Sequence, residues 1–170
     1  MKDAATEKKR LDEVTVKAIK TAASDIHHKI DKHGKPEIKF PIRSLSNVRY
    51  DPKAGYFEIG KAKSIRTLTV NTVKTFAQTL KMMSLSKQLV ETNDFATKRD
   101  AYYQSKNWSD AKFDEQGESD TVMDDIEAMF AMEGVSREQL RFIPDEHGGA
   151  VAGRLIVNDP DLETGKVERI

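Results

Sequence analysis

Two helical periodicities joined by a short break, two alternating stretches around turn sequences, and one apolar stripe near the N-terminus predict an α+β fold. The helix pair, whose second member is polar and basic, reads as a helix-turn-helix, and a later hairpin reads as its wing. An N-terminal helical arm precedes this winged-helix unit. A chain of 170 residues holds one domain plus an extension. The expected boundaries are 1–45 for the arm, 46–157 for the winged helix and 158–170 for a linker.

Residues Asp12 to Lys32 carry Leu11, Val14, Ala18, Ala22, Ile26 and Ile30 at helical spacing. His33-Gly34-Lys35-Pro36 stops that helix, with Gly34 as its C′ residue. Ile38 to Ile42 alternates and reads as extended. Asn47 to Tyr50, the turn Asp51 to Gly55, and Tyr56 to Gly60 form a hairpin. Val70 to Val90 is a helix buried on one side through Val70, Val73, Phe76, Ala77, Leu80, Met83 and Leu89, with Met82-Met83 as gap-filling core. Asn93 to Ala96 breaks the pattern, and a polar helix starts behind a Thr97 cap. Asn107 to Gly117 is a loop, and Ser119 caps a helix that runs through Phe130, with an acidic first turn suited to its dipole. After a short helix at Arg137 to Leu140, Arg141 to Pro144 and Val151 to Val157 form the wing. Asn158 to Ile170 is charged and turn-rich.

Hydrophobic residues make up 38% of the chain and charged residues 33%, and no apolar run approaches a membrane span or a secretory signal. Without cysteine there are no disulfides and no thiolate metal sites. The net charge of zero hides an asymmetry. Residues 1–106 hold 22 Lys and Arg against 12 Asp and Glu, whereas residues 107–170 hold 6 against 16. A basic part of that size suits a polyanion such as DNA, unless the two charge blocks interleave once folded.

The basic part closes on Lys98-Arg99-Asp100-Ala101-Tyr102-Tyr103-Gln104-Ser105-Lys106. On a helix, Arg99, Tyr102, Tyr103 and Lys106 share one face. Two phenols between two cations, with Lys98 beside them, suit an anion. A phenol with an ordinary pKa near 10 is a poor nucleophile, and a guanidinium one turn away would stabilise its developing negative charge or that of a phosphate it attacks. Spacing alone describes packing more readily, with one ring buried and its hydroxyl in water.

The surrounding motifs favour the chemical reading. Arg99-Asp100-Ala101-Tyr102-Tyr103 resembles the R-[DE]-x-Y-Y signature of type IIB DNA topoisomerase (topoisomerase VI) A subunits and the related meiotic double-strand-break transesterase. Phe113-Asp114-Glu115-Gln116-Gly117-Glu118-Ser119-Asp120, running on to Met123-Asp124-Asp125-Ile126-Glu127, resembles that family's F-x-x-Q-x-E-S-[DN]-x-x-[IM]-x-D-[IL]-E block. Ser46-Asn47-Val48 before a Tyr-Asp turn adds a third likeness. The resemblance spans about Ser44 to Gly153 and covers the family's N-terminal half.

The resemblance implies a DNA-cleaving enzyme that passes through a transient 5′-phosphotyrosyl link, with Tyr103 as nucleophile and Arg99 as its electrostatic helper. Lys98, Tyr102 and Lys106 would be DNA-binding residues, Tyr102 by positioning or packing and the lysines at phosphates. It also implies Mg²⁺ held by a Toprim domain outside this chain, either the remainder of a longer protein or a separate polypeptide. ATP enters only through an ATPase B subunit, which the N-terminal arm is expected to meet unless it folds back on its own domain. The expected assembly is a homodimer within a heterotetramer on double-stranded DNA, cytoplasmic and nucleoid-associated, with no membrane. No metal or cofactor site is expected on the chain itself. The alternatives are a non-catalytic winged-helix DNA-binding module and a fragment that docks the ATPase partner.

Three features are expected to carry no chemistry. Leu155 to Asp161 mimics a metal-binding D-x-D strand end, but Pro160 follows Asp159 and the segment reads as a turn. Asp124-Asp125-Ile126-Glu127 reads as a solvated acidic face. His27, His28, His33 and His147 do not converge as ligands, and no phosphate-cradling glycine loop occurs.

Overall fold

A computed structural model describes residues 4–53, 55–143, 158–160 and 167–169. Within them the chain is mixed helix and small two-stranded sheets. Helix α1 (Ala4–Asp31) is followed by strand β1 (Glu37–Pro41), hairpin strands β2 (Val48–Asp51) and β3 (Tyr56–Ile59), and strand β4 (Lys63–Thr67). Helix α2 (Val73–Thr92), strand β5 (Ala96–Thr97), helix α3 (Lys98–Ser105) and helix α4 (Gln116–Ala131) come next. Strand β6 (Phe142–Ile143) and the antiparallel pair β7 (Asn158–Pro160) and β8 (Val167–Arg169) follow.

The core lies where α2, α3 and α4 meet. Phe113, Phe130, Met82, Met83, Met123, Ile126 and Leu140 are all but sealed from solvent there. Each such side chain is worth roughly 1.5–3 kcal/mol of burial, so this cluster carries the fold. Helix α1 packs along α2 and puts Ile19 into the same core. A smaller cluster of Ile26, Ile38, Phe40 and Phe76 fixes the β1–β4 ribbon to the helices.

Several expectations change in detail. The α1 stripe runs through Thr15 and Ile19, and Val14 and Ile30 are exposed. Thr15 is tolerated in the core because its hydroxyl donates to the Leu11 carbonyl at 2.9 Å. The left-handed residue closing α1 is His33 (φ 55°), not Gly34, whose amide instead donates to the Lys29 carbonyl at 2.8 Å. Helix α2 starts at Val73, leaving Val70 exposed before it. Ser119 does not cap α4. It lies buried inside the helix, which begins at Gln116, and the Glu118 carboxylate accepts from the Asp114 amide at 3.0 Å.

Phe142–Ile143 runs parallel to Ala96–Thr97, and the rest of the expected wing, residues 144–157, lies outside the described residues. Within the stretch read as turn-rich, Asn158–Pro160 pairs with Val167–Arg169. The metal-like stretch starting at Leu155 is described only from 158 to 160, and His147 lies outside the described residues.

The hairpin at 47–60 forms as expected, and its neck is built by one side chain. Asn47 donates to the carbonyls of Ile42 at 2.7 Å, Ala62 at 3.1 Å and Gly60 at 3.3 Å, and accepts from the Ala62 amide at 3.1 Å. Gly60 closes against it so tightly that a Cβ there would stand 2.5 Å from Asn47 Oδ1. Asn47 thereby fastens the hairpin to the start of β4, which in turn pairs with β1 over Glu37↔Thr67 to Pro41↔Lys63.

Replacing Asn47 by Ala strands these backbone groups. The expected loss is about 2–3 kcal/mol, since each unmet buried polar group costs roughly 1–3 kcal/mol and water recovers part of it. Urea unfolding followed by circular dichroism measures it. An unchanged midpoint would show that the neck does not hold the ribbon.

Candidate active site

Helix α3 is short, eight residues, so its start must be fixed from its own ends. Thr97 is extended and caps it. Its hydroxyl oxygen accepts from the Asp100 amide at 3.0 Å, and the Asp100 carboxylate accepts from the Thr97 amide at 3.1 Å. Hydrogen bonds from the Thr97 hydroxyl and then its amide hold the Asp100 carboxyl below its ordinary pKa. One face of α3 is sealed by Ala101 and Ser105, both fully buried. The opposite face is the polar one.

On that face Arg99 and Tyr103, four residues apart, meet. Arg99 Nε and Nη2 donate to the Tyr103 hydroxyl at 3.3 and 3.2 Å, and the guanidinium carbon lies 5.6 Å from the ring centroid. Tyr103 as a residue is 53% exposed. Two N–H donors aimed at the phenol oxygen of an exposed tyrosine stabilise negative charge there, or on a phosphate brought to it.

Tyr102 and Lys106 stand beside this pair. The two tyrosine rings are 5.5 Å apart and tilted by 48°. The Tyr102 hydroxyl donates to the Asp114 carbonyl at 3.1 Å. Lys106 Nζ sits 4.1 Å over the Tyr102 ring and donates to the Phe113 carbonyl at 2.7 Å and the Asp114 carbonyl at 3.3 Å. Both side chains therefore pin the α3–α4 connection next to buried Phe113. Lys98 points elsewhere, toward α4, where its Nζ donates to Asp124 Oδ1 at 2.8 Å. Either lysine would have to leave these partners to meet a phosphate.

The acidic run on α4 is not the solvated face that its sequence suggests. Asp124 holds Lys98 and Arg43 (3.2 Å), with Arg137 at 3.8 Å. Asp125 holds Arg43 at 3.2 Å and Arg66 at 3.0 Å, and Glu127 faces Arg137 at 3.3 Å. Partial burial raises the Glu127 carboxyl despite that neighbour. Arg66 also donates to Thr79 and lies 4.6 Å over the Phe40 ring. One turn of α4 thus ties together the hairpin neck, β4, the first residue of α3 and the segment before β6. Sequence reading missed Arg43, Arg66, Arg137 and their acidic partners as a set. Nothing local marks them, because the partners lie up to 82 residues apart in the chain.

Among the described residues, no group of three His, Cys, Asp or Glu could hold a metal ion. No helix among them is long and apolar enough to cross a membrane.

Residues 74–141, which contain all of α3 and α4, match the family described as Type IIB DNA topoisomerase. The chain is similar to the A subunit of type 2 DNA topoisomerase 6 from Methanocaldococcus jannaschii, 46% identical over 153 residues, which covers 89% of this chain and 41% of the relative. The protein of the same name from Methanothermobacter thermautotrophicus is 32% identical over 89% of this chain and 42% of its own length. The one from Aeropyrum pernix is 34% identical, covering 89% and 43%. The chain therefore spans about two fifths of the length of these curated relatives.

The cap makes a prediction about α3. Thr97→Ala is expected to cost about 1 kcal/mol. Asp100→Asn should cost less, because the exposed carboxylate is screened by water. The lowered folded-state pKa of Asp100 means that its contribution is present above the ordinary value of 3.8 and fades as pH falls through the folded value. Urea midpoints of Asp100→Asn and the unaltered chain should differ at pH 7 and draw together as pH falls below the ordinary 3.8 and through the lowered folded value. A difference that persists in acid would remove the carboxylate from the cap.

Proposed function

The chain belongs to the type IIB DNA topoisomerase A-subunit family, corresponding to its N-terminal region, and we propose that it supplies the nucleophile that cleaves DNA. The observation that carries this reading is the hydroxyl of the exposed Tyr103 held by two Arg99 donors.

The Tyr103 oxygen attacks a backbone phosphorus in line with the leaving 3′ oxygen. A tyrosyl O–P bond forms and the P–O3′ bond breaks, leaving a 5′-phosphotyrosyl link and a free 3′-hydroxyl. The phenol proton is given up as the leaving oxygen gains one, so no proton is consumed overall. Rejoining reverses these steps, and the diester link conserves the energy of the broken bond. Arg99 stabilises charge on the phenol oxygen as it loses its proton, and on the phosphoryl oxygens as the bond order shifts. Because its Nε and Nη2 are already directed at that oxygen, little reorganisation is needed.

Tyr102 is a positioning residue in this reading, since its hydroxyl is committed to the Asp114 carbonyl. Lys98 and Lys106 serve as phosphate contacts by exchanging their internal partners for DNA oxygens. Among the described residues no group of three His, Cys, Asp or Glu could hold a metal ion. By the family resemblance Mg²⁺ would be held by a Toprim domain, and no step above runs through it. In this reading the α2–α3 pair acts as the helix-turn-helix of a winged-helix domain. ATP, the B subunit, dimerisation and a nucleoid-associated location belong to the proposed whole assembly.

With labelled duplex, Mg²⁺ and a Toprim polypeptide supplied, Tyr103→Phe should abolish the covalent adduct on a denaturing gel and change DNA affinity by less than about twofold. Arg99→Ala should slow adduct formation by about a hundredfold or more, the scale of losing a transition-state donor, and weaken binding only severalfold. Equal losses in both measurements would reduce Arg99 to a phosphate contact. Cleavage by Tyr103→Phe that is lost in Tyr102→Phe would move the chemistry to the neighbouring ring.

A further inference from the structure

The β2–β3 hairpin presents a surface that the nucleophile chemistry does not use. Register pairs Val48 with Ile59 and Tyr50 with Phe57, and strand alternation puts all four on one face. Val48 and Ile59, at the neck, are half-buried. Toward the tip, Tyr50 is 55% and Phe57 71% exposed, their rings 5.2 Å apart. Two aromatics in tilted contact, held in water on a hairpin, are a binding surface rather than core.

The charge around them identifies the occupant. From residue 39 to residue 66 the chain holds seven Lys and Arg against only Asp51 and Glu58. Arg49, Lys53, Lys61 and Lys63 are all exposed, and none of the four ion-pairs with another described residue. Protein interfaces are depleted in lysine, whereas a duplex backbone calls for cations beside groups that pack on sugars and base edges. The ribbon also has the dimensions of a groove-binding element.

Its position fits as well. Arg43, just before the neck, and Lys98, the first residue of α3, bind the same Asp124 carboxylate. The ribbon is thus mounted beside the start of the Tyr103 helix. Strands of four residues reach on the order of 13 Å from the neck, under half a turn of duplex.

We propose that the β2–β3 hairpin is a second DNA contact, with Tyr50 and Phe57 packing against the duplex next to the cleaved bond and Lys53, Lys61 and Lys63 on its phosphates. This rests on the reading of the chain as the DNA-cleaving component and adds a site to it. The aromatic pair supplies contact that salt does not screen. The cations supply the salt-dependent part.

Anisotropy of a labelled duplex of about 30 bp with the full chain, measured between about 50 and 200 mM salt, tests the assignment. Tyr50→Ser with Phe57→Ser should weaken binding roughly tenfold without changing the salt slope. Lys53→Ala with Lys61→Ala, in exposed positions where folding is not at risk, should lower the slope of log affinity on log salt by about 2. If the lysine variant keeps the unaltered slope, the proposal is overturned and the aromatic pair belongs to a protein partner. A ribbon failure of that kind leaves the Tyr103-dependent adduct in place. Absence of duplex binding by the unaltered chain would instead remove the functional reading itself.

Discussion

Asp124 sits where four segments meet, and its carboxylate decides how they are oriented. It holds Lys98 at the start of α3, Arg43 at the hairpin neck and Arg137 before β6, while Asp125 on the next position adds Arg66 of β4. These pairs are only partly exposed, with side-chain accessibilities of 19% and 32% for Lys98 and Asp124. Charges at that depth are too costly to leave alone, so each member constrains the others more than a surface ion pair would. The apolar core fixes α4 against α2 and takes in Ala101 from the short α3, with Ser105 buried one turn on. The carboxylate on Lys98 and the Tyr102 hydroxyl on the Asp114 carbonyl add two polar ties to that packing.

The same constraint separates chemistry from placement. The Arg99–Tyr103 contact is an i,i+4 pair that any stable helix of this sequence would form. Nothing in it specifies where the phenol oxygen points relative to a DNA duplex. That direction comes from Ala101 and Ser105 packed inward, from the Thr97 cap, and from the α4 carboxylates. A fold that kept the pair but lost the anchoring would have the reactive groups without a defined site.

This division explains what the sequence revealed. The shared face of Arg99, Tyr102, Tyr103 and Lys106, the Thr97 cap, the 47–60 hairpin and the methionine core follow from spacing within one element, and each is present. The pairing of β1 with β4 escaped it, because Lys63 to Thr67 alternates weakly and exposes Ile65. Asp124-Asp125-Ile126-Glu127 was legible as charge but not as a junction, since its partners come from residues 43, 66, 98 and 137. Ser119 resembled a cap because a serine before an acidic turn satisfies the local rule. The turn actually begins earlier, where Glu118 reaches back to the Asp114 amide.

The lysines of α3 illustrate why composition alone cannot assign a nucleic-acid surface. Lys98 and Lys106 belong to the basic part of the chain, yet both ammonium groups are bonded within the protein, one to a carboxylate and one to carbonyl oxygens. A phosphate must displace those acceptors, so their net gain on binding DNA is the difference between two strong interactions. The cations around the β2–β3 ribbon face no such competition from the described carboxylates. On the proposed reading, counterion release from DNA would be realised more fully at the ribbon than at the tyrosine helix. The electrostatic centre of the proposed DNA binding and the proposed nucleophile would then lie on different elements, joined through the α4 carboxylates. Arg99 would act on the Tyr103 oxygen without also having to hold the duplex.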